Sequence, residues 1–208
     1  MKSPIALGEV ISEVGGWSTI YTVKNDPDRC VKVLASHRTY KGDKPDPYLV
    51  SKKKYGIDNM LAYEWDNYQK IICHVPDHLK QNIVRIDGLF PTDDGREGLV
   101  MERVRRADGS TAPSLDNHTS TLPEEFFHAL EKFRREVLHK HSIDHFGVAG
   151  RNVLVRDEHT PVLIDFQKNI KIYRSQLILY IPYFTRQKVK RNFQRLYAEH
   201  NVPDLTSA

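Results

Sequence analysis

Alternating apolar and polar positions open the chain. Leu7 to Val14 and Trp17 to Val23 read as two strands rich in β-branched residues, with Gly15-Gly16 as the turn between them. Cys30-Val31-Lys32-Val33-Leu34 reads as a third strand behind an Asn25-Asp26-Pro27-Asp28 turn. Residues 37–58 are basic, Pro-rich and loop-like. From Asn59 the period changes, and Leu61, Trp65, Tyr68 and Ile72 fall on one stripe of a helix. Val84–Phe90 and Gly98–Val104 then read as a strand pair around the Thr92-Asp93-Asp94-Gly95 turn.

Residues 105–121 are a polar linker with turn signals. Leu122-Pro123-Glu124-Glu125 opens a helix running to about His139, since a proline near the start and two acids in the first turn suit a helix N-terminus. Phe126, Phe127, Leu130, Phe133 and Val137 form its buried face. Two short apolar runs follow, Val153-Leu154-Val155 and Val162-Leu163-Ile164, joined by the turn-like Asp157-Glu158-His159-Thr160-Pro161. They read as a hairpin with Asn152 just before the first run and Asp165 just after the second. An amide oxygen and a carboxylate at one end of a hairpin suit Mg2+, which takes one or two such oxygens together with phosphate oxygens and water. An apolar stretch, Leu177–Phe184, leads to a basic helix over 186–197, with Val189, Phe193, Leu196 and Tyr197 on one side. Strands followed by helices predict an α+β chain: an antiparallel-sheet part over 1–104 and a reduced, mostly helical part over 105–208.

Composition narrows this picture. The 208 residues, 39% hydrophobic and 28% charged, are enough to bury a core. Cys30 and Cys73 lack metal-ligand spacing and suit a reducing compartment, so a disulfide framework is not expected. The start shows no signal-peptide core, and no apolar run approaches the ~20 residues of a membrane-spanning helix. The expectation is therefore a cytoplasmic chain. The net charge of +4 is uneven, for residues 168–199 hold eight Lys or Arg and one Glu. Two readings of that basic tail stand side by side: a terminal helix with a solvated face, or attraction to an anionic inner-membrane surface or an acidic partner. Nucleic acid is disfavoured, because the chain is only mildly basic and carries no nucleic-acid motif.

Several residues carry a chemical and a bland reading together. Lys32 is flanked by apolar residues; it is either an edge-strand lysine pointing to water or a buried lysine that needs a partner. Glu64, beside the helix stripe, is that partner or is solvated. The diglycine is an ordinary hairpin turn or a loop whose N–H groups approach phosphates. Glu102-Arg103-Val104 is the end of a central strand or a backbone contact for a base. His139 and His141 read as surface groups at a helix end and not as metal ligands.

In this order the pieces resemble the protein-kinase-like fold over roughly residues 7–166. Glu13-Val14-Gly15-Gly16-Trp17-Ser18 resembles the glycine-rich loop, Lys32 the strand lysine, Glu64 its helix partner, and Asn152 with Asp165-Phe166 the Asn and Asp-Phe of the catalytic and metal-binding segments. More narrowly the chain resembles the YrbL family of small bacterial kinase-like proteins associated with the PhoP regulatory network. The resemblance implies a minimal bilobal fold and ATP and Mg2+ as cofactors. It implies Lys32, Glu64 and Asp165 as catalytic, and Gly15, Gly16, Ser18, Lys32, Glu102 and Val104 as nucleotide-binding. It also implies Asn152 and Asp165 as the metal ligands. The acceptor would be a small molecule or glycan, or the partner a regulatory protein. Two positions depart from the pattern: Gly147 stands where the catalytic Asp belongs, and Gln167 where the final Gly belongs. Gly147 has no side chain to orient a hydroxyl, which leaves a weakened phosphotransferase or a pseudokinase. Asp144 substitutes only if the loop shifts register, and His145 reads first as a packing residue.

Overall fold

The computed structural model describes residues 3–12, 18–34, 58–144, 148–166 and 181–207. The chain divides into two compact units, Met1–Tyr68 with Arg85–Arg103, and Gln69–Val84 with Val104–Ala208. Both α-helix and antiparallel β-sheet are present, as the hydrophobic patterns predict, with the larger sheet in the first unit and most of the helix in the second.

The first unit is a five-stranded antiparallel sheet. Its strands are β1 (Leu7–Ser12), β2 (Ser18–Val23), β3 (Asp26–Leu34), β4 (Ile86–Pro91) and β5 (Glu97–Glu102), in the order β1-β2-β3-β5-β4. Ile5, ahead of β1, returns to the far edge. It bridges Thr92, donates its N–H to the Pro91 carbonyl at 2.8 Å and accepts from Asp93 at 2.9 Å. The sheet therefore curls, and Val31, Val33 and Val100 are fully enclosed with Leu7, Tyr21, Val23 and Phe90 against them. The turn expected at Asn25–Asp28 is shorter. Lys24-Asn25 alone forms it, with Asn25 in the left-handed region at φ 62°, and Asp26 already pairs Val23. Asn tolerates that conformation, so the two-residue hairpin needs no glycine.

Helix α1 (Met60–Ile72) starts where the Asn59 side-chain oxygen accepts the N–H groups of Leu61 and Ala62, at 2.9 and 3.1 Å. Such a cap is worth ~1 kcal/mol. The expected Leu61/Trp65/Tyr68/Ile72 stripe is rotated. Met60, Leu61, Glu64, Asn67, Tyr68 and Ile71 are the buried positions, while Trp65 and Ile72 are half-exposed. Glu64 thus lies within the buried face and not beside it.

In the second unit, α2 (Glu124–Phe133) buries Phe126, Phe127, Leu130 and Phe133. It continues as a π-helical segment, Arg134–His139, which buries Val137 and Leu138. The long helix α3 (Pro182–Glu199) begins with Pro182, whose missing N–H costs nothing in a first turn. It buries Val189, Phe193, Leu196 and Tyr197, the predicted side. Tyr197 packs edge-on against Phe127 and Phe193, and its hydroxyl donates to the Glu131 carboxylate at 3.1 Å. Glu131 also takes both donors of the buried Arg134 fork.

The hairpin of β6 (Val153–Asp157) and β7 (Thr160–Leu163) is antiparallel as expected. An isolated hairpin is barely stable in water, and here both edges are covered. Val155 N–H donates to the Pro113 carbonyl at 2.9 Å and Ser114 bridges Leu154. On the other side Val84 N–H donates to Leu163 at 3.0 Å, and the Asn82 amide donates to Pro161 at 3.0 Å. Residues 105–121, expected as a polar linker, are therefore part of the packed structure, with Ala112 and Leu115 buried. The short Asp77–Asn82 turn, which no apolar period announces, serves the same hairpin.

Candidate active site

One cluster of candidate residues lies in each unit. In the first, Lys32 sits on β3, the middle strand, opposite Ile20 of β2 and Leu99 of β5. Strand alternation sends Val31 and Val33 into the core and Cys30 and Lys32 to the opposite face. All four are nonetheless buried, so that face is covered too. The edge-strand reading of Lys32 is excluded. Its Nζ donates to Glu64 Oε2 at 2.8 Å, with side-chain exposures of 10% and 2%. Taking either charge alone out of water would cost several kcal/mol. The pair therefore holds each member charged and fixes the ammonium against the sheet. Cys30, two residues before Lys32 and partnered by the Glu102 carbonyl at 3.6 Å, has its thiol pushed up to about 12, chiefly by burial.

The remaining first-unit candidates are peripheral to that pair. Ser18 opens β2 opposite Leu34 and is half-buried. Glu102 closes β5, its N–H donating to the Arg85 carbonyl at 2.8 Å. Gly15 and Gly16 lie outside the described residues, as do His145, Gly147 and Gln167.

In the second unit, Val104 is buried and its carbonyl accepts the Ala112 N–H at 2.9 Å. Asn152 and Asp165 flank the open end of the hairpin. Val153 pairs Leu163, and the Ile164 N–H donates to the Asn152 carbonyl at 3.0 Å. Asn152, 5% exposed, is reached through a short turn, Gly150–Asn152, in which its own N–H donates to the Ala149 carbonyl at 2.8 Å. Asp165 leaves the hairpin with φ 65°, a left-handed conformation that Asp and Asn adopt more readily than other side chains. It is half-buried, and Phe166 after it is buried. Among the described residues no three His, Cys, Asp or Glu side chains gather as a metal site. A cation at Asn152 and Asp165 would therefore lean on phosphate oxygens and water, the coordination Mg2+ prefers. The donor set fits that ion and would not suit zinc.

The sequence reading missed an ion pair in the same unit. Asp144 is fully buried, and Lys188 Nζ lies 3.5 Å from its Oδ2. Burial pulls the Lys188 ammonium below its ordinary range, and Asp144 pulls the other way. Enclosed in this way, Asp144 presents no surface to an acceptor hydroxyl in this arrangement. Arg186, two residues earlier on the helix, donates through Nε to the His139 carbonyl and to Ser142 Oγ, both at 3.1 Å. A cation at a helix C-terminus is favourable. Part of the basic helix thus faces inward. No periodicity announces either contact, since basic residues spaced along a helix look the same whether or not a distant acid is waiting.

The family model described as PhoP regulatory network protein YrbL matches residues 11–201 of the chain. No curated protein matches it. Among solved structures the chain is similar to the Rio2 kinase of Chaetomium thermophilum, determined as an ADP/Mg2+-phosphoaspartate complex. The sequence identity is 16% and the TM-score 0.49, with 92% of this chain and 57% of that chain covered. The chain thus spans little more than half the length of that kinase chain.

Proposed function

The chain belongs to the YrbL family of PhoP regulatory network proteins, and we propose that it is an atypical kinase-like protein that binds Mg-ATP and transfers phosphate to a small-molecule or glycan acceptor. The observation that carries this reading is the buried Lys32–Glu64 pair at 2.8 Å. A charged lysine in the middle of a sheet is costly as a structural element and useful as a fixed cation for phosphate oxygens. Asn152 and Asp165 supply hard oxygens for Mg2+. That ion, when bound, neutralises developing phosphate charge. With Gly147 in place of an acid, positioning and charge stabilisation would carry the reaction, and the absent base typically accounts for ~10²–10⁴-fold in rate.

A second reading is favoured by Gly147 itself: a pseudokinase that binds nucleotide and acts through a regulatory protein. Thermal unfolding with ATP, with and without Mg2+, tests the shared premise. Ligand at 100 times its dissociation constant stabilises by ~2.7 kcal/mol. The expected result is a Mg2+-dependent shift lost in Asp165→Asn, a substitution whose backbone tolerates the same left-handed conformation. No shift at millimolar ATP would sink both readings. Phosphate release from ATP then separates them. Wild type faster than Asp165→Asn supports transfer, and equal rates leave the pseudokinase.

A further inference from the structure

Apolar side chains on the start of α3 point to water. Ile181, Tyr183 and Phe184 are 51%, 62% and 38% exposed, and the two aromatic rings meet edge-on with centroids 5.3 Å apart. The other large apolar residue exposed to this degree among the described residues is Val10, in the other unit. Adjacent exposed aromatics of this kind form an apolar patch such as interaction surfaces use.

The charge on the same helix says what covers it. Pro182 to Ala198 carries five Lys or Arg and no acid. Arg186 and Lys188 are engaged inside the unit. Arg191 and Arg195 are exposed and lie on the face opposite the buried Val189, Phe193 and Leu196, on one line with Phe184 at helical spacing, a line on which Lys188 alone turns its ammonium inward to Asp144. Arg191 has no ion-pair partner among the described residues, and Arg195 meets only Glu199, at 3.7 Å. The first turn of the helix holds no acid to balance its positive end. An outer face of aromatic side chains followed by guanidinium groups matches the two layers of an anionic bilayer surface: apolar side chains enter the headgroup boundary while arginines meet phosphates. No helix among the described residues is long and apolar enough to cross a membrane, so this would be attachment at the surface.

We propose that the outer face of α3 is a docking surface for an anionic lipid bilayer, with Ile181, Tyr183 and Phe184 as the inserted side chains and Arg191 and Arg195 as the phosphate contacts. The reading is independent of nucleotide binding.

Co-sedimentation of the full chain tests it, with vesicles of phosphatidylcholine alone or of equal parts phosphatidylcholine and phosphatidylglycerol. The expected result is pelleting with the mixed vesicles only, weakened by salt. Each of Arg191→Gln and Arg195→Gln should lower the apparent affinity roughly fivefold. The double variant Tyr183→Ser, Phe184→Ser should lower it roughly tenfold or more. All four positions are exposed, and unchanged unfolding midpoints will show that the variants fold. Absence of pelleting with either vesicle overturns the proposal, as does pelleting indifferent to phosphatidylglycerol or to the aromatic pair. Absence of pelleting together with a dimer that the aromatic double variant dissolves would assign the face to a second copy of the chain instead.

Discussion

Lys32 Nζ lies 2.8 Å from Glu64 Oε2, and the two side chains are 10% and 2% exposed. The strand that carries Lys32 and the helix that carries Glu64 are 32 residues apart at this contact. The pair is therefore tertiary, and each partner depends on the other. Glu64→Ala leaves a buried ammonium without its carboxylate and is expected to destabilise the chain by ~3–5 kcal/mol. Lys32→Met with Glu64→Leu should recover most of that loss, since apolar replacements of buried pairs are often neutral. Chemical denaturation of Glu64→Ala and of the double variant checks this. If Glu64→Ala costs less than ~1 kcal/mol, the pair is not held as described.

Acid should weaken the second unit through its histidines. His74 and His141 stack with ring centroids 4.3 Å apart and planes 19° from parallel. His141 is held below its ordinary value by burial first, then by His74 and Lys140. His139 is likewise lowered, chiefly by burial, with Arg134 and Arg186 adding. A histidine whose folded value lies below the unfolded 6.5 takes up its proton more readily when the chain is unfolded. Stability is therefore complete above 6.5 and falls as pH drops through that value toward the folded one. Beside the stack, His78 Nε2 lies 2.9 Å from Glu136 Oε2. The expected outcome is a lower unfolding midpoint at pH 5 than at pH 7, with a smaller difference in His141→Gln. An equal difference in that variant would remove the stack as a cause.

The two cysteines should react very differently. Cys30 is buried, and its thiol is pushed up to about 12, so almost no thiolate exists near neutral pH. Cys73 is exposed. One equivalent of an alkylating reagent should be consumed by the native chain at pH 8, with Cys73→Ser abolishing it and denaturant releasing a second site. Rapid modification of two thiols in the native chain would contradict the burial of β3.

Much of this arrangement was legible because it follows from periods. Val31 and Val33, Phe126 to Val137, and Val189 to Tyr197 are buried where the patterns put them. The Asn152–Asp165 hairpin follows from two apolar runs around a turn. The α1 stripe was read one position off because Trp65 and Ile72 look like core and Glu64 does not. A helix period ranks positions by hydropathy, and a buried charge inverts that ranking. The 105–121 segment looked like linker because Pro113 and Ser114 contribute main chain to the edge of β6. Main-chain pairing needs no apolar side chain and leaves no period. Asp144 and Lys188 were invisible for a related reason, since a single long-range ion pair has no spacing to recognise.

That ion pair yields the last expectation. Asp144 is wholly enclosed, directly ahead of the His145-Phe146-Gly147 stretch, and Lys188 stands opposite it at 3.5 Å. Because burial disfavours the ammonium and Asp144 favours it, the charge on Lys188 costs more than a surface lysine's, and is retained only opposite the carboxylate. Lys188→Met removes that charge and leaves the buried carboxylate to be solvated or protonated, at ~3–5 kcal/mol. Lys188→Arg keeps the charge and should recover at least half of the loss. Asp144→Asn with Lys188→Met removes both charges and should cost less than Lys188→Met alone, the signature of a coupled pair. The pair also predicts a sign on the alkaline side. A lysine with a lowered folded value takes up its proton more readily when unfolded, so its charging penalty is lifted as pH rises through that lowered value toward the ordinary 10.5. The unfolding midpoint of the wild type should therefore gain on that of Lys188→Met as pH rises toward 10.5. Additive losses in the double variant would show that Asp144 and Lys188 stand near each other without acting on each other.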